Sequence, residues 1–117
     1  MYRIRRQSTR PIVKLVLVLT TLGAETDAAA LARTLVEERL AACVNVLPAM
    51  TSIYRWKGSV EQEREQQLLI KTAAEQVEAL AARLSELHPY ELPEFIVLDA
   101  DASEAYGNWI AENTRAG

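Results

Sequence analysis

Residues 53–72, IYRWKGSVEQEREQQLLIKT, narrow the fold of this sequence more than any other stretch. On one side of a turn at Gly58 and Ser59, Ile53, Arg55 and Lys57 alternate with Tyr54 and Trp56. On the other side, Glu61, Glu63, Glu65, Gln67, Leu69 and Lys71 alternate with Gln62, Arg64, Gln66, Leu68 and Ile70. A period of two belongs to strands, so this stretch and the VNV that precedes it predict one long hairpin over 43–72. Its tip is charged and its base, LLIK, is apolar. The base belongs to a core, and the tip reaches past what one layer of helices can cover.

The remaining elements follow from periodicity. Residues 12–20, rich in Val and Leu and too short for a helix, predict a buried strand. Ala28, Leu31, Ala32, Leu35, Val36 and Leu40 recur at helical spacing and predict a helix over 26–42, capped by Thr26 or Asp27. A second helix over 74–87 carries Val77, Leu80, Ala81, Leu84 and Leu87 on one stripe, and Pro89 ends it near His88. FIVLD at 95–99 is a strand, and Ser103 is the N-cap expected for a short last helix that puts Tyr106, Trp109 and Ile110 on one face. The order is strand, helix, strand, strand, helix, strand, helix. This is an α+β chain of the ferredoxin-like, split βαβ kind, with an antiparallel sheet and an extra C-terminal helix. Two helices on one face leave the other face open, and the long hairpin adds unpaired edges, so a symmetric homo-oligomer is expected.

Charge and cysteine content limit the partners. The 117 residues, half of them hydrophobic, suit one globular domain over 12–117 behind a disordered basic tail at 1–11. The net charge is −3, but residues 1–14 hold Arg3, Arg5, Arg6, Arg10 and Lys14 with no acid, leaving −8 on the rest. An acidic body repels phosphate backbones, so no nucleic-acid partner is expected. The basic start followed by KLVLVLTTLGA imitates a secretory signal poorly, since its uninterrupted apolar run is only residues 15–19. No stretch approaches the roughly 20 apolar residues of a membrane span, so no membrane partner is expected. One cysteine, Cys43, and one histidine, His88, cannot close a structural zinc site, and the lone thiol fits a reducing, cytoplasmic compartment.

RLAACVNVLPAMTSIYRWKG, EQQLLIKT, LHPYELPE and YGNWI, in this order across roughly residues 15–114, resemble the CutA family of divalent-cation tolerance proteins. The resemblance implies a ferredoxin-like domain in a homotrimer similar in architecture to the PII signal-transduction proteins, with hairpins pairing between subunits. It also implies tolerance of divalent cations, with copper first and zinc second as the metal, no organic cofactor and no catalytic reaction. In eukaryotic members it further implies anchoring of a membrane enzyme. The positions that match the family's motifs are Cys43, Asn45, Tyr54, Trp56, Glu65, Lys71, His88, Tyr90, Glu94, Tyr106 and Trp109. Three positions depart from the family pattern. Gly23 stands where a proline is usual, Thr20 where some bacterial members have a cysteine offered as a copper ligand, and Gly107 in place of a leucine, which predicts a less well packed last helix.

Each of these residues admits two readings. His88 suits Cu(II), Zn(II) or Ni(II), and Cys43 suits soft Cu(I), with Glu65 or Glu94 completing a mixed site at a subunit boundary. Alternatively, His88 caps the end of its own helix and Cys43 is a small buried hydrophobe. Tyr54 and Trp56, together with Asn45, Tyr106 and Trp109, line a ligand cleft or anchor a trimer interface. Lys71, Glu65, Tyr90 and Glu94 form either a polar pocket for a small anion or acid/base work, or a buried polar network that fixes subunit register.

Overall fold

The computed structural model describes residues 11–115. The expected basic tail lies outside the described residues apart from Pro11, where the first strand begins.

The described residues form five strands and three helices: β1 Pro11–Gly23, α1 Ala28–Glu37, β2 Cys43–Val46, β3 Met50–Trp56, β4 Ser59–Thr72, α2 Val77–Leu87, β5 Ile96–Ser103 and α3 Glu104–Thr114. A 3-10 turn at Ala74–Gln76 leads into α2. The strands are all antiparallel, in the order β2, β4, β1, β5, with β3 on the same side of β4 as β2. The split βαβ arrangement read from the sequence is therefore the one observed.

The first helix is shorter than its apolar stripe predicts. Asp27 caps it, its Oδ1 accepting from the Ala30 N–H at 3.0 Å, but it ends at Glu37 rather than near residue 42. Arg39 adopts a left-handed φ of 62°. The N–H groups of Leu40 and Ala41 both turn back to the Leu35 carbonyl, at 3.0 and 3.3 Å, which unwinds the helix. Leu40 is thus apolar because it packs in the turn against the core, and not because it continues the stripe.

The hairpin partner is broken in two. β2 and β3 both pair with β4, but Val46 faces Leu68 while Met50 faces Glu65, so three residues of one strand lie opposite two of the other. Pro48, which has no N–H to donate, sits in this bulge. The extra residue reverses the alternation. Odd positions of β2 and even positions of β3 share one face with the odd positions of β4. At the tip the turn is Lys57 and Gly58, both with positive φ (49° and 86°), one residue earlier than expected.

α1 and α2 cover the sheet face that carries Val16, Val18 and Ile70, where Leu35, Leu80 and Leu84 complete the main core. The opposite face is partly covered by α3, whose Ile110 and Tyr106 pack on Leu15, Leu17, Ala100 and Ala102. Ser103 caps α3 as expected, accepting from the Tyr106 N–H at 3.3 Å. Gly107 is buried, and a Cβ on it would come within 2.4 Å of Val13 Cγ1. The glycine therefore lets α3 seat tightly on β1, contrary to the looser helix that the missing leucine predicts. β5 runs to Ser103 rather than to residue 99 because β1 pairs with it along its whole length.

Candidate functional site

Beyond α3 the same sheet face stays open, and the loop after α2 arches over it to form a cleft of about 870 Å³. β4 supplies Glu63 and Glu65, β3 supplies Tyr54 and Trp56, β1 supplies Thr21 and Gly23, and residues 89–94 form the remaining wall. Tyr54 pairs with Glu61, and Ser52 with Glu63, so the aromatic positions of β3 and the acids of β4 point the same way. The bulge at Pro48 is what turns the rings to this face.

The HPYELPE loop is tied down by hydrogen bonds. Pro89 biases His88 out of helical geometry, and His88 leaves α2 with extended φ and ψ of −79° and 132°. Its imidazole is buried, and Nε2 lies 2.6 Å from the Thr21 carbonyl while Nδ1 accepts from the Tyr90 N–H at 3.1 Å. A carbonyl only accepts, so the proton is on Nε2 and the ring is neutral with both nitrogens engaged. The ring binds β1 rather than the carbonyls of its own helix. The Tyr90 hydroxyl donates to Glu65 Oε2 at 2.6 Å, and Gln67 Nε2 donates to Glu94 Oε2 and to the Thr20 carbonyl, both at 2.8 Å.

The charge of the cleft is one-sided. Glu63, Glu65, Glu91 and Glu94 line it without a lysine or arginine among the lining residues. Burial, the hydrogen bond to Glu65 and the nearby negative charge together push the Tyr90 phenol far above the ordinary tyrosine value. Tyr54 is raised as well, first by desolvation and then by Glu63, Glu65 and Glu61. Both phenols therefore stay protonated at neutral pH.

The family model described as CutA1 divalent ion tolerance protein matches residues 16–113. The chain belongs to the CutA1 family. The divalent-cation tolerance protein CutA of Thermus thermophilus is 47% identical over 98 residues, covering 83% of this chain and 95% of the relative. That of Pectobacterium atrosepticum is 39% identical, covering 92% and 99%. Among solved structures, the Thermus thermophilus Cut A1 superposes with a TM-score of 0.82 at 45% identity, covering 86% of this chain and 99% of that one. A structure titled PII-like protein CutA from Nostoc, in apo form, gives 0.80 at 41% identity over 86% and 97%.

Seen on this CutA1 fold, the residues singled out from sequence fall into two groups on one sheet face. Glu65, Tyr54, Trp56, His88, Tyr90 and Glu94 gather at or beside the cleft. Cys43 and Asn45 lie opposite Lys71 and Leu69 on the α3 side. There Lys71 Nζ approaches the Tyr106 hydroxyl at 3.4 Å and lies 5.6 Å above its ring, and Tyr106 stacks on Trp109. The six residue steps along β4 from Glu65 to Lys71 put the groups about 20 Å apart at the rise of a strand. Cys43, Glu65 and His88 therefore do not converge within one chain, and among the described residues no group of three or more His, Cys, Asp and Glu could hold a metal ion. Thr20 faces away from the cleft, paired with Leu68 of the main core side, and its buried hydroxyl has no hydrogen-bond partner among the described residues.

Sequence reasoning missed Thr21, Glu63, Gln67 and Glu91. The alternation had placed Glu63 and Gln67 on the same side as Glu65, which was the available signal. Nothing local marks Thr21, which contributes through its backbone carbonyl.

Proposed function

We propose that the chain works as a cytoplasmic, non-catalytic homotrimer that binds divalent cations at the carboxylate-lined cleft and so contributes to their tolerance. The observation that carries this reading is the gathering of Glu63, Glu65, Glu91 and Glu94 around one cleft in a member of this family. Copper ranks ahead of zinc because Cu(II) binds a given set of nitrogen and oxygen donors more tightly than Zn(II) does. At this cleft one chain offers oxygen donors only, since the His88 lone pair is already used and Cys43 lies away from it, opposite Lys71, so a tight site needs donors from a neighbouring subunit. Exposed apolar residues on both outer strands support assembly: Ile96, Val97 and Leu98 on β5, and Val46 on β2 followed by Leu47. The lone Cys43 fits a reducing compartment, and no helix among the described residues is long and apolar enough to cross a membrane.

Calorimetric titration of Cu(II) and Zn(II), with light scattering alongside, tests the reading. Saturable binding is expected, tighter for Cu(II), at least about tenfold weaker when Glu63 and Glu65 are both changed to Gln, and unchanged in Cys43→Ser. Binding that ignores the glutamates and disappears with Cys43→Ser would overturn it.

A second reading, a PII-like sensor or scaffold that takes a small molecule or a protein partner at an intersubunit cleft, is favoured by one observation in its small-molecule form. The rings of Tyr54, Trp56 and Tyr90 line the cleft along with the acids, and rings contribute little to binding a hydrated metal ion.

A further inference from the structure

The geometry points to an extended organic ammonium ion, an alkyl diamine or longer polyamine, as the ligand of the cleft. The inference rests on the reading of this cleft as the protein's ligand site, and adds the chemistry of what it recognises.

Four features combine. The first is size: about 870 Å³ accommodates a molecule with a body, and far exceeds what one ion needs. The second is the lining, in which Leu92, Pro89, Pro93 and the aromatic rings offer methylene-sized apolar contact between the carboxylates. A polyamine alternates charged nitrogens with short apolar spacers, and such a lining answers both parts. The third is donor and acceptor balance. The Tyr90 hydroxyl already donates to Glu65, and Glu94 is held by Gln67, so the fixed carboxylates keep lone pairs to accept further hydrogen bonds. An ammonium group brings three donors and no acceptor.

The fourth feature is an ammonium group already at the mouth. Lys57, in the left-handed turn of the hairpin, holds its Nζ 3.8 Å from Glu91 Oε2 and 5.6 Å above the ring of Trp56. A carboxylate beside an aromatic face is a recurring arrangement for binding alkylammonium groups. Lys57 and Glu91 are both largely exposed, with side chains 72% and 74% accessible, so the pair is weak and readily displaced. Lys57 thus acts as a tethered competitor that a free ammonium ligand would replace.

Spermidine titrated calorimetrically into the intact chain at about 0.1 M salt, where long-range attraction is largely screened, tests the inference, with Mg(II) as a control for general attraction to an acidic surface. Saturable binding is expected for spermidine. It should weaken at least about tenfold in Glu65→Gln and Trp56→Leu and tighten several-fold in Lys57→Met. The last variant removes an exposed side chain and leaves the folding core untouched, so it remains informative should Trp56→Leu disturb assembly. Spermidine binding no tighter than Mg(II), or insensitive to Lys57→Met, overturns the inference. The Cu(II) titration separates the two levels. If Cu(II) binding depends on Glu65 while spermidine binding does not, the cleft is a ligand site and the ammonium assignment falls. If neither depends on Glu65, both fall.

Discussion

His88 and Tyr90 show how much a single residue's role depends on partners that the sequence does not name. A lone histidine before a proline reads equally well as a metal ligand or as a helix cap, yet its ring spans from the loop to the Thr21 carbonyl and organises the cleft wall. Tyr90 then carries the link on to Glu65. Because the folded state raises the Tyr90 pKa above its ordinary value of 10.0, the folded chain keeps the phenolic proton at a pH where the unfolded chain loses it. The associated stability is therefore present in full below pH 10 and is lost as pH rises above it. Denaturant unfolding followed from pH 8 to 11 should show stability falling above about pH 10, with Tyr90 contributing at most about 1.4 kcal/mol per pH unit. Tyr90→Phe should be less stable than the parent at pH 8, by about 1 to 2 kcal/mol for the hydrogen bond lost to a buried carboxylate, with a shallower alkaline decline. An unchanged alkaline slope in that variant would mean that Tyr90 is not held protonated by its surroundings.

At the level of elements, what could be read from the sequence was what repeats locally. Alternation in β4 correctly grouped Glu61, Glu63, Glu65, Gln67, Leu69 and Lys71, and the stripe of α2 correctly gave Leu80 and Leu84. The bulge at residues 47–49 was not legible, because a one-residue offset depends on pairing with β4 and leaves no periodic trace of its own. Without it, Tyr54 and Trp56 would face away from the glutamates. The end of α1 was hidden for a related reason, since Leu40 continues the stripe in sequence while serving the turn in space. Gly107 is a third case, where substitution against a family pattern looked like lost packing and is in fact close approach. In an exposed helix Gly→Ala gains about 1 kcal/mol. Here the 2.4 Å approach to Val13 dominates, and Gly107→Ala should destabilise by about 1 to 3 kcal/mol in urea unfolding. The double variant Gly107→Ala with Val13→Ala should cost less than the sum of the two single changes. Strict additivity would mean that α3 does not contact β1 at this point.

At the level of the whole molecule, the two outer edges of the sheet are unlike. β5 exposes Ile96, Val97 and Leu98, whereas the β2 edge exposes Val46 and Leu47 beside the groove against α1. If one edge docks on the other, the contact is heterologous, and a rotation of one third of a turn closes it into the proposed ring. If each edge pairs with its own kind, the contacts are isologous and give two separate dimer interfaces. A charge on one edge distinguishes them. In a heterologous ring, Leu98→Lys alone removes every interface and should leave monomers at low micromolar concentration, and Val46→Lys should do the same. In the isologous case either variant would keep the other interface and remain a dimer. Mixing the two variants sharpens the distinction, since the intact β2 edge of the Leu98 variant can meet the intact β5 edge of the Val46 variant only once. Light scattering of the mixture should therefore stop at the mass of two chains, with a melting temperature that rises with protein concentration. Growth beyond two chains in the mixture, or a full trimer from either variant alone, would place the interface elsewhere on the molecule.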